Sequence, residues 1–202
     1  RFALSSLKPP KEYRTPASMQ RQMLDLLEIA SGLRFETPAK LDLRIDAEVH
    51  ALAGRLLPDG PSYVGIAPGS GGLPKCWPLE RFVELARIQE ALGRTPALFL
   101  GPKESDWVAP LKDALPNAAF PLQVDEGSER HGFSPLLTIA LARHLVAAVA
   151  NDSGTAHMLA IGGAPLVALY GTTVPEKFMP MAERLTVIRA ADFGGSEMRD
   201  IP

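Results

Sequence analysis

The chain has 202 residues, 46% of them hydrophobic, enough to bury a sizeable core and to exclude disorder and fibrous structure. Its 21 basic and 23 acidic residues leave a formal charge of -2, so no general field draws it to nucleic acid or to an anionic membrane, and any bound anion has to be held locally. Cys76 is the single cysteine, which excludes an internal disulfide, and no tract reaches the roughly 18 apolar residues of a membrane span. A reducing, cytoplasmic setting is the expectation, with at most peripheral contact at an inner membrane.

Residues 1–14 are basic and proline-containing, without an initiator methionine or the apolar centre of a signal peptide, and read as a loop. Met19, Met23, Leu26 and Leu27 then recur at helical spacing, with Ser31-Gly32 as a stop, so an amphipathic helix in need of a packing surface is predicted over 18–29. A second helix is predicted over 47–57, closed by the turn residues 58–61. Beyond Tyr63 short apolar runs alternate with amphipathic segments. Strands are predicted at 63–67, 97–100, 145–150, 166–170 and 185–189, and helices at 79–92, 104–115, 134–143, 155–161 and from Pro175. The fold class is α/β, a Rossmann-like doubly wound parallel sheet. In such sheets ligands lie beyond the carboxyl ends of the strands.

The first strand runs into Pro68-Gly69-Ser70-Gly71-Gly72-Leu73-Pro74-Lys75-Cys76-Trp77-Pro78. Glycines let backbone N–H groups approach an anion, and Lys75 adds a positive charge. The spacing is neither a Walker A loop nor G-x-G-x-x-G, and an ordinary turn with a solvated lysine suits it equally. Pro78 suits the first position of the following helix. After the second strand, Glu104 is placed to accept from ribose hydroxyls, or simply to cap its own helix. Between Leu145 and Pro175 the one charged side chain is Asp152, in Asn151-Asp152-Ser153-Gly154-Thr155-Ala156-His157. Asp152 suits an N-cap, but it also suits sugar hydroxyls or a pair with Lys75, while Ser153, Gly154 and Thr155 offer N–H groups to a phosphate. His157 has no neighbours at metal-ligand spacing, so no zinc site is read here, and no hydrolase triad surrounds Ser153. The loop Gly171-Thr172-Thr173-Val174-Pro175 suits either a ligand or a plain threonine cap.

Together P-G-S-G-G-L-P-K-C-W-P, G-P-K-E, N-D-S-G-T-A-H and P-L-V-A-L-Y-G-T-T resemble the C-terminal half of the ADP-heptose:lipopolysaccharide heptosyltransferases, glycosyltransferase family 9. The resemblance covers residues 63–202 and departs at Ala67, where many members carry a polar residue. It implies the C-terminal domain of an inverting GT-B glycosyltransferase over 46–202, with residues 1–45 as the tail of an N-terminal domain and a linker. It implies transfer of a sugar, heptose by preference, from a nucleotide diphosphate donor such as an ADP-sugar to a lipopolysaccharide core or other glycolipid acceptor, with no cofactor and no metal. UDP- or GDP-sugar enzymes and a non-catalytic nucleotide-binding module stand as alternatives. By residue, it implies that Ser70, Gly71 and Lys75 meet the diphosphate and Glu104 the ribose. Asp152, Ser153, Gly154 and Thr155 hold phosphate and sugar, and His157 supports their loop. The catalytic base is expected in the family's N-terminal domain, whose Gly-Asp loop nothing here matches, and the chain is expected to be a part of a longer enzyme.

Overall fold

The computed structural model describes residues 11–36, 43–123 and 133–202. Its strands are Tyr63–Ala67 (β1), Thr95–Leu98 (β2), Leu145–Asn151 (β3), Leu166–Tyr170 (β4) and Leu185–Arg189 (β5). All pair in parallel, in the order β2-β1-β3-β4-β5. The helices are Met19–Ser31 (α1), Ala47–Leu56 (α2), Leu79–Ala91 (α3), Ser105–Ala114 (α4), Pro135–Ala142 (α5), Gly154–Ile161 (α6) and Pro175–Phe178 (α7). A parallel ladder needs a crossover between successive strands, and the amphipathic segments supply it.

Side chains alternate across the sheet and fill two separate cores, as double winding requires. Tyr63, Ala67, Ala148, Ala150, Ala168 and Tyr170 face one cluster with α2, α5 and α6. Ile66, Leu98, Leu100, Val149, Val167 and Leu169 face the other, with Phe82 and Ala86 of α3 and Leu111 of α4. At 25 cal/mol per Å2, or roughly 1.5–3 kcal/mol for each fully buried large side chain, these two layers are the main source of stability.

The expected strand at 97–100 lies two residues earlier. Thr95 N–H donates to Ser62 O at 3.0 Å and opens the ladder. Pro96 is tolerated because its missing N–H faces the outer edge, where its carbonyl accepts from Ala119 N–H at 2.8 Å. Pro78 is the residue before α3 rather than its first, with φ -50° and ψ 133°, and its carbonyl accepts from Arg81 N–H at 3.0 Å. The helix expected from Glu104 begins as a 3₁₀ turn at Pro102–Glu104 and becomes α-helical at Ser105.

Helix α1 stops at Gly32 as its sequence predicts, in the left-handed conformation at φ 70°, and Ser18, placed inside the helix by the sequence pattern, caps it instead, its hydroxyl accepting from Arg21 N–H. None of its residues is buried, and Met23 is 61% and Leu27 51% exposed. The helix meets α7 and the segment behind it, where Gln20 Nε2 donates to Met181 Sδ at 2.7 Å.

The residue that ends α6, Gly162, lies against α5, where an added Cβ would fall on the carbonyl oxygen of Ile139 and the methyl of Ala142. Because one obstacle is helix backbone, Gly162→Ala should destabilise the fold by about 1–3 kcal/mol, lowering Tm by several degrees. Thermal unfolding followed by circular dichroism checks this.

Candidate functional site

The strand order reverses between β1 and β3: the chain moves outward from β1 to β2, then returns to the other side of β1. A cleft opens beyond the carboxyl ends at such a switch point, because the crossovers on either side leave in opposite directions. The two loops that enter it are 68–78, after β1, and 152–153, after β3. These are the two segments singled out by their glycines, Lys75 and Asp152.

The loops are joined by specific bonds. Lys75 Nζ lies 3.5 Å from Asp152 Oδ2, the lysine side chain 41% and the aspartate 11% exposed. Ser70 Oγ donates to Asp152 O at 3.1 Å. Asn151, fully buried, donates through Nδ2 to Pro68 O at 2.7 Å and accepts at Oδ1 from Trp77 N–H at 3.1 Å. Between these fixed ends Gly71, Gly72, Leu73 and Pro74 stand exposed.

The cap of α6 is Ser153, whose hydroxyl accepts from Ala156 N–H at 3.3 Å. Asp152 is therefore not the cap, and its carboxylate turns to Lys75 instead. Helix geometry leaves the Gly154 and Thr155 N–H groups without partners inside α6, at the positive end of its dipole. Lys75, paired to Asp152 just ahead of these N–H groups, brings a positive side chain to the same end of the sheet, an arrangement whose chemistry suits an anion. Gly71 lies at the exposed loop tip, with no atom within 4 Å of where its Cβ would be.

Glu104 lies against the start of the same loop. A Cβ on Gly69 would sit 2.6 Å from its carboxyl carbon, so any side chain there would push the Glu104 carboxylate aside. Its Oε2 accepts from Gly101 N–H at 2.9 Å, the local capping role that the sequence left open. The carboxylate thus stands at the carboxyl edge of β2, beside β1's loop. The Thr172-Thr173 loop is not a threonine cap, since Val174 precedes α7 and Pro175 opens it.

Sequence reasoning passed over two contributors. Phe178 of α7 lies with its ring centroid 6.0 Å from Lys75 Nζ, a cation–π approach. Asn151 was read only as one polar residue of a cluster, although its position beside the lone aspartate, at the end of an apolar strand, was visible. Trp77 is a packing residue, edge-on to Phe82 at 5.0 Å, with its indole N–H donating to Ile201 O at 3.0 Å. Cys76 donates weakly to Gly72 O at 3.6 Å, and burial pushes its thiol above the ordinary range, so it is no thiolate nucleophile. Among the described residues no group of three or more His, Cys, Asp or Glu could hold a metal ion.

Asp152 projects its charge onto two neighbours. Tyr170 is pushed up to about 12, by burial first and then by Asp152, and stays a neutral phenol. His157, one turn into α6, borders a cavity of about 360 Å3 shared with Met19, Met23, Phe178 and Met181. Burial lowers its pKa below the ordinary 6.5, and Asp152 opposes that shift without cancelling it. The folded chain therefore binds fewer protons at His157 than the unfolded chain. Its contribution to stability is neutral above 6.5 and turns unfavourable as pH falls through that value toward the lowered folded pKa. An NMR titration should place His157 below 6.5, and lower again in Asp152→Asn, while His157→Gln should flatten the acid side of the stability profile.

Comparison with known proteins follows this geometry. Residues 1–200 match the family described as glycosyltransferase family 9 (heptosyltransferase). Lipooligosaccharide heptosyltransferase 2 of Haemophilus influenzae is 32% identical over 127 residues, 62% of this chain and 36% of that protein. Lipopolysaccharide heptosyltransferase 2 of Escherichia coli is 31% identical over 135 residues, again 62% and 36%. The chain thus spans little more than a third of the curated relatives it matches. Among solved structures, a family 9 glycosyl transferase from Veillonella parvula superposes with a TM-score of 0.74 at 24% identity, over 93% of this chain and 52% of that one. The E. coli heptosyltransferase WaaC with ADP gives 0.63 at 20% identity, over 90% and 52%. The fold is that of these enzymes, and the chain belongs to glycosyltransferase family 9, the heptosyltransferase family.

Proposed function

We propose that this chain forms the donor-binding part of a heptosyltransferase, which transfers heptose from ADP-heptose to a lipopolysaccharide core-type glycolipid. The observation that carries this reading is the Lys75–Asp152 pair at the switch point, set against the N-terminus of α6. The names of the relatives and the ADP in a structure of the same fold support it. Residues 46–202 are then the nucleotide-sugar domain, and 1–45 the tail of a preceding domain with its linker.

In this reading the diphosphate enters the corner between Lys75 and the Gly154 and Thr155 N–H groups, with Ser70 and Gly71 on the loop side. The ribose lies toward Glu104, whose second carboxylate oxygen accepts its hydroxyls. Asp152 accepts hydroxyls of the sugar, since direct contact with phosphate would set two negative charges together. His157 stands behind Asp152 and Ser153 as their support. An acceptor hydroxyl attacks the anomeric carbon, the bond from that carbon to the diphosphate oxygen breaks, and the diphosphate leaves with the electron pair. Lys75 and the α6 N–H groups stabilise the negative charge on that leaving oxygen, the preorganised electrostatic role of an anion hole. The acceptor's proton goes to a base that we place in the preceding domain.

Calorimetry on the 202-residue chain should show ADP binding, weakened about 10- to 100-fold in Lys75→Ala, the magnitude of one charge-assisted hydrogen bond of about 1.5–3 kcal/mol. Equal affinity in the variant would remove Lys75 from the site. In thermal unfolding ADP should stabilise more than UDP or GDP, and a reversed order would point to a different donor base.

A further inference from the structure

We infer that Asn151 is a positioning residue that holds the 68–77 loop in its anion-binding shape by clamping both of its ends with one amide. The inference rests on the reading of that loop as the diphosphate site and adds a residue whose action is indirect.

The register places Asn151 there. Ile66 pairs with Val149 and Ala67 with Ala150, so the next residues, Pro68 and Asn151, stand side by side as β1 leaves the sheet. Alternation turns the Asn151 side chain to the face of Val149, where Trp77 packs. There the amide takes up two groups that the ladder does not serve: Pro68 O, at the start of the loop, and Trp77 N–H, at its end. A buried primary amide is costly unless both its donor and its acceptor are paired, and here both are. The two bonds also fix which end of the amide is which, because a carbonyl can only accept and an N–H can only donate.

Between these anchors the backbone bonds are local. Lys75 N–H donates to Gly72 O and Cys76 N–H to Leu73 O, both at 2.9 Å, so the tip is one short turn. Ser70 reaches Asp152 O. Trp77 is fixed at its backbone by Asn151 and at its indole by Ile201, so Lys75, two residues earlier, hangs from a rigid post. Asn151 is fully buried, and its amide nitrogen and oxygen bond to Pro68 O and Trp77 N–H, the two ends of the loop, rather than to a ligand. It acts through the position of Lys75 and the loop N–H groups, and through its chain neighbour Asp152.

The test compares ADP with adenosine. Asn151→Leu, neutral and similar in size, should weaken ADP about tenfold or more, while adenosine, which lacks the phosphates, changes by no more than about twofold. Both are followed by NMR titration, with the unfolding temperature recorded alongside. Equal loss for the two ligands would mean general damage, and no loss for either would mean that the clamp is dispensable. Each of these outcomes overturns the proposal. Should the variant fail to fold, amide hydrogen exchange in the unaltered chain decides: Trp77 N–H should exchange at least about tenfold more slowly than Gly71 and Gly72 N–H without ligand. Equal rates would overturn the clamp. If the unaltered chain binds no ADP, the diphosphate reading falls, and the exchange rates still report on the clamp by themselves.

Discussion

One geometric constraint governs the site: the reversal of strand order at β1 and β3. Parallel strands force every connection across a face of the sheet, and at the reversal the two connections leave in opposite directions. The ends of β1 and β3 are therefore uncovered together. Loop 68–78 and the start of α6 meet only because of this, although they are more than seventy positions apart in sequence. Asn151 converts that adjacency into a fixed relation by bonding both ends of one loop from the end of the other strand.

Electrostatics then follow from local grouping rather than total charge. A chain of formal charge -2 has no long-range attraction for an anion. The corner beyond β1 and β3 gathers one lysine, the open N–H groups of α6 and a carboxylate. The Lys75–Asp152 pair is partly exposed and contributes little to stability, since solvent screens it and its side chains lose entropy. Burial keeps Tyr170 and His157 neutral near pH 7, with the Asp152 charge adding to the shift at Tyr170 and opposing it at His157.

Several of the chain's 19 prolines stand at the ends of its strands and helices. Pro74 lies in the tip turn, Pro68 offers its carbonyl to Asn151, Pro78 sets the entry to α3, and Pro175 opens α7. They stiffen the rim of the cleft by limiting the backbone freedom that ordering a loop would otherwise cost. Among the described residues only Pro96 lies within a strand, on the edge where a missing donor does no harm.

Much of the scaffold was legible in the residues themselves, because helical and strand periods are local. Gly32 ends α1 as its chemistry dictates, and the lone charge at Asp152 marked the loop after β3. Bond partners were not legible. Asp152 suited the N-cap of α6 by residue type, but Ser153 takes that place because its extended backbone aims its hydroxyl at Ala156 N–H. Glu104 turned out to cap its own turn while lying against Gly69, a contact set by how β2 aligns with β1. Asn151 looked like one more polar residue in a loop, since its partners lie 83 and 74 positions earlier. The sequence alone thus determined the elements, the family and the residues that carry charge. Which of them touch, and in what role, depended on strand order and register, which arise from packing across the whole sheet and from no single stretch of chain.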